Sequence, residues 1–129
     1  LRKFSGGNFW IFIYDRRFSV GGVQMRLLVF NINNQCIHKD PDCDFSHIVA
    51  GTENYLKAKF IFSDVWEDCI KVASFWRGEK EYAVILENDE CFIPSEALTG
   101  ATFRVSVIGQ GTDFRIPTNK IIIRQEVSR

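Results

Sequence analysis

Several things are scarce in this chain, and each scarcity removes a class of function. It has two histidines, one methionine and three prolines in 129 residues. The only histidines, His38 and His47, fall in one polar stretch, and the chain has neither a Gly-x-Ser-x-Gly elbow nor a phosphate-cradling glycine-rich loop. Nothing therefore points to an enzyme or to a bound organic cofactor. Net charge is also absent: 16 basic and 16 acidic residues cancel. No global basic field gathers nucleic acid, and no acidic tail is present. No apolar run approaches the roughly 20 residues that a membrane-spanning helix needs. The given residues show no Asn-x-Ser/Thr acceptor, no recognisable secretory signal and no visible internal repeat.

What remains is rich in aromatics, with 12 Phe, 3 Trp and 3 Tyr, a composition suited to strands. In 102–108, Phe103, Val105 and Val107 alternate with Thr102, Arg104 and Ser106, which makes a strand with one buried and one wet face. Segment 55–62 repeats the pattern, with Leu56, Ala58, Phe60 and Phe62 inward. Further strands are expected over 9–14, from Met25 through Ile32, over 70–76, 91–93 and 119–127. The run Tyr82–Leu86 suits a strand covered on both faces. Residues 63–68 read as a connector and 109–113 as a turn, and Pro94–Leu98 has room for one helical turn. Residues 36–54 read as a short strand within polar loops. The expected fold is an all-β, antiparallel β-sandwich of Ig-like or jelly-roll type, with a small barrel as the alternative.

Four candidate sites follow from residue type. Cys36, His38, Cys43 and His47 have the donor chemistry of a tetrahedral zinc site, but not its common spacing. Asp40, Asp42 and Asp44 begin like a calcium loop, which fails at Phe45 and Gly51, where Gly and Glu are required. Trp66, Phe75, Trp76 and Tyr82 offer either a sugar-stacking platform or simply core. Lys57, Lys59 and Arg104 lie on outer strand faces, where they meet phosphates or only keep a sheet soluble. The carboxylate pairs Glu87/Asp89 and Glu67/Asp68 fall in expected turns and are explained by solvation. The remaining cysteines are Cys69 and Cys91, and the four thiols read as free and buried, although an even count also permits two disulfides.

One ordered series of segments resembles a known family. It comprises Val49-Ala50, Glu53–Phe60, Phe62, Trp66 and Lys71–Phe75, then Tyr82, Val84–Leu86, Asn88, Cys91, Ile93-Pro94 and Glu96. Phe103, Val105–Val107, Gly109, Arg115-Ile116 and Thr118–Lys120 complete it. This series is similar to the β-sandwich domain of tail, baseplate and fibre proteins from tailed phages and prophages of Gram-positive bacteria. It covers roughly 25–127 and departs from the family at Ile108–Gly111 and in the Cys/His loop. The resemblance implies a virion structural or assembly protein, put together in the bacterial cytoplasm. Its partners would be other virion proteins or further copies of itself, with no catalytic residues to transfer. A host-surface carbohydrate-binding module is the rival, and a zinc-stabilised interaction module a third reading. The resemblance also bears on residues 1–24. Gly22-Val23-Gln24 can be encoded as a ribosome-binding sequence ahead of Met25, so 1–24 is expected to be either leader or an extra N-terminal strand before a single domain, 25–129.

Overall fold

Strands with one apolar face must bury it, and here they do so against each other in two stacked sheets. The computed structural model describes the backbone of residues 2–6, 9–13 and 25–127, and the side chains of 25–127. In chain order the strands are β1 (Arg2–Gly6), β2 (Phe9–Ile13), β3 (Arg26–Asn33), β4 (Cys36–Lys39), β5 (Leu56–Phe62) and β6 (Ile70–Arg77). They continue as β7 (Lys80–Ile85), β8 (Glu90–Phe92), β9 (Thr102–Gln110), β10 (Arg115–Pro117) and β11 (Ile121–Arg124). Two 3-10 turns, Asp64–Trp66 and Ser95–Leu98, are the only helical structure among the described residues.

The larger sheet runs β1-β2-β7-β6-β9-β10, and β11 also pairs with β9, further along the same strand. The smaller sheet runs β4-β3-β5-β8. The protein is thus an all-β sandwich. Pairing is antiparallel except for β2 with β7 and β3 with β5. A parallel pair needs a long crossover, and segment 40–55 supplies the one between β3–β4 and β5.

Between the sheets, Leu28, Phe30, Ile32, Leu56, Ala58 and Phe60 face Ala73, Phe75, Val84, Phe103, Val105 and Val107, all buried. An aromatic series threads this layer: Phe45, Phe30, Phe60, Phe62 and Trp66, with successive ring centroids 5.4, 5.4, 6.0 and 5.1 Å apart. Most of these rings come from alternate positions of β3 and β5, so the period-2 pattern is itself what builds the series.

Three differences from the sequence reading have physical causes. The expected connector 63–68 is anchored in the core: Trp66, offered by residue type as core or platform, is core, fully buried and closing one end, its indole Nε1–H donating to the Asn34 carbonyl at 2.7 Å. Strand β9 continues through Gly109 and Gln110 instead of turning there, because Gly109 leaves room for that indole. A Cβ on Gly109 would lie 2.8 Å from two Trp66 ring carbons. The last expected strand, 119–127, is reduced to β11 at Ile121–Arg124; β10, Arg115–Pro117, precedes it, and Asn119 between the two is turned to β4. At the N-terminus, β2 matches the strand expected over 9–14, with Trp10, Ile11 and Phe12 opposite Tyr82, Ala83 and Val84. Tyr14 lies outside the described residues. Within Tyr82–Leu86, Ala83 and Val84 are buried on opposite faces, whereas Ile85 is exposed.

Candidate functional site

The four Cys and His residues do not converge. On β4, Ile37 is buried, so Cys36 and His38 point out from the opposite face, with Sγ and Nδ1 3.9 Å apart. Cys43 turns back onto β3, accepting from the Val29 N–H at 3.4 Å and donating to the Leu27 carbonyl at 3.6 Å. His47 is paired elsewhere, its Nδ1 2.7 Å from Glu126 Oε2. The cause is Arg26, whose guanidinium donates to the backbone carbonyls of Asp44, Ser46 and His47 and draws that part of the loop away from β4. The single-chain zinc reading on Cys36, His38, Cys43 and His47 is therefore corrected to one adjacent pair, Cys36 and His38. Among the described residues, no group of three or more His, Cys, Asp or Glu side chains is placed to hold a metal.

The aspartates serve their own turns. Asp40 Oδ1 accepts from the Asp42 N–H at 2.8 Å, and Asp44 Oδ1 accepts from both the N–H and the hydroxyl of Ser46. The Ser46 hydroxyl bond, then its N–H, hold the Asp44 carboxyl below its ordinary value. Asp89 pairs with Lys71 at 2.9 Å, and Asn88-Asp89 take positive φ in the two-residue turn before β8. The free thiols also differ from expectation: Cys91 alone is fully buried, Cys43 and Cys69 are half-buried, and Cys36 is exposed.

The aromatic platform is split as well. Trp66 and Phe75 are core, Tyr82 packs against the core, and only Trp76 stands on an outer face. Its Nε1–H donates to Ser106 Oγ at 3.1 Å, and Lys120 Nζ lies 3.7 Å from its ring centroid, occupying one face of the ring. A sugar would find one half-covered tryptophan here. The basic trio is divided between the two sheets: Lys57 and Lys59 are on β5, with Lys57 paired to Glu90 at 3.0 Å, and Arg104 is on β9. Their side chains alternate away from the shared core, so they leave opposite sides of the sandwich and form no single patch.

Residues 117–120, at the break between β10 and β11, carry a role that sequence reasoning missed. Thr118 exchanges two bonds with Val107, donating from its N–H to the Val107 carbonyl and accepting the Val107 N–H on Oγ1, both at 2.9 Å. Asn119 crosses to the other sheet, where its Oδ1 accepts the Ile37 N–H at 2.9 Å and its N–H donates to the Gln35 carbonyl. Lys120 turns outward onto Trp76. Three successive side chains thus clasp β9, the edge of β4 and the outer face of β6. Asn119 covers backbone groups that would otherwise leave β4 open to pairing with another chain.

The outer face of the larger sheet carries several exposed or half-buried apolar residues. Register places Ile85, Val72, Ile108 and Pro117 in one row across β7, β6, β9 and β10. Ile70, 65% exposed, lies beside it on β6, and Ile122, 53% exposed, is on the same face further along, opposite Arg104 on β9. These residues come from five different strands, and only the cross-strand register collects them. Compared with family models, curated proteins and solved structures, the chain matches none. No helix among the described residues is long and apolar enough to cross a membrane.

Proposed function

We propose that this protein is a structural or assembly component of a tailed-phage particle, in its tail, baseplate or fibre apparatus, working through contacts with other virion proteins and copies of itself. The reading rests on the ordered resemblance over 25–127. The observation that supports a contact role is the row Ile85–Val72–Ile108–Pro117, with Ile70 beside it and Ile122 further along the same face. A row of exposed apolar residues on a folded domain is a candidate place for another surface to dock. The sandwich behind it supplies a rigid backing, since its core is continuous and residues 117–120 tie the two sheets together.

The test is mass spectrometry of gradient-purified particles from an induced lysogen, with antibody labelling in the electron microscope. The chain is expected to travel with the particles at fixed stoichiometry and to label one end of the tail. Recovery only in the free protein fraction would defeat the proposal. Within particles, Ile70→Lys combined with Ile122→Lys is expected to abolish incorporation while the isolated variant keeps its fold, read by circular dichroism.

A further inference from the structure

We propose that Cys36 and His38 are half of a metal site, and that two copies of this chain complete it around one thiophilic divalent ion of the zinc class. The two side chains leave the same face of β4, held there by Ile37 between them, which is buried in the core. Their donor atoms are 3.9 Å apart. Zinc–sulfur and zinc–nitrogen bonds of about 2.3 and 2.05 Å at a tetrahedral angle need a separation of about 3.6 Å, which small side-chain rotations reach.

A second observation lies across the strand. Asn31 is the register partner of His38, and its Oδ1 is one of two buried side-chain oxygens or nitrogens among the described residues that have no hydrogen-bond partner. A histidine that ligates through Nδ1 carries its proton on Nε2 and uses it to bond an outer acceptor, which fixes the ring. The orphaned Asn31 oxygen is the acceptor nearest in register.

One chain supplies only these two ligands, whereas zinc takes four. A two-fold axis through the ion would bring Cys36 and His38 of a second copy, giving two thiolates and two imidazoles, with each thiol losing its proton to solvent on binding. The copies would meet through the outer faces of β3 and β4, where Ile61, across from Asn31 on β5, adds exposed apolar surface. They would not zip edge to edge, because Asn119 already holds the edge of β4.

The site is tested with the full chain kept reduced by a phosphine and titrated with cobalt(II), then zinc(II). Expected are a sulfur-to-cobalt charge-transfer band, tetrahedral d–d bands, saturation at one ion per two chains, and a shift from monomer to dimer in sedimentation that a chelator reverses. Cys36→Ser and His38→Gln should each weaken uptake by more than about tenfold and remove the dimer. Both side chains are exposed, and circular dichroism verifies that these variants remain folded. Cys43→Ser and His47→Gln should change neither signal. No uptake at tens of micromolar metal, uptake at one ion per chain without dimerisation, or uptake indifferent to Cys36→Ser and His38→Gln overturns the proposal. The inference goes beyond the particle reading and fails separately from it, since metal titration needs no particle and incorporation into particles needs no metal.

Discussion

Individual residues in this protein are held by contacts that their immediate sequence neighbours do not announce. Gly109 has to lack a side chain because the Trp66 ring lies where its Cβ would be. Gly109→Ala is therefore expected to cost about 1–3 kcal/mol through overpacking, read as a lower urea midpoint at unchanged slope. Asn119→Ala strands the half-buried Ile37 N–H and is expected to cost a similar amount, about 1–3 kcal/mol. By contrast, Ile122→Ala removes an exposed methyl-bearing side chain and should stay within about 0.5 kcal/mol. Thiol chemistry sorts the same way. Burial pushes the Cys91 thiol far above its ordinary value, so a thiol reagent should modify Cys36 in the native state and Cys91 only after unfolding. The sign of the linkage is destabilising at high pH. Above the unfolded thiol's value of 9.0 the denatured chain ionises while the buried group stays neutral, so stability falls as pH rises past that point.

Among the elements, the strand edges and the 40–55 crossover carry the argument. The edge of β4 is covered by Asn119, β8 is only three residues long, β10 ends in Pro117, and β7 is taken by β2. Each is a recognised way to keep a sheet from pairing with strangers. These devices act on edges only, and on the outer face of the larger sheet Ile70, Ile85 and Ile122 stay exposed. The crossover hangs on one cation: Arg26 gathers three loop carbonyls, and Asp44 bonds Ser46 beneath them. Arg26→Gln is expected to raise amide exchange across 43–48 while β5 and β9 keep their protection. Acid should act on the same loop by a separate route. Asp44 is depressed, so its contribution is complete above the ordinary value of 3.8 and is lost as pH falls through the lower folded value. Exchange in 44–46 should therefore rise below that pH and not between pH 5 and 8.

For the whole molecule, the period-2 patterns of 26–32, 56–62 and 102–108 were sufficient to specify an all-β sandwich and most of its inward face. Side chains that alternate along a strand can be buried in one way only. Residue chemistry likewise singled out Cys36 and His38, along with Cys43 and His47, as metal-capable. Sequence alone did not reveal which strands lie side by side. Register decided that Ile85, Val72, Ile108 and Pro117 form one row and that Lys57 and Arg104 face opposite sides, while tertiary contacts hold Cys43 on β3 and His47 beside Arg26 and Glu126, away from Cys36 and His38. Trp66 shows the same limit from within the core. Residue type allowed it as core or platform within a connector, and the Gly109 gap and the Asn34 carbonyl, both distant in sequence, made it the plug. Local alternation is written into each strand because it depends on neighbours one and two positions away. Contacts between strands depend on pairing, and pairing exists only once the two sheets have closed on each other.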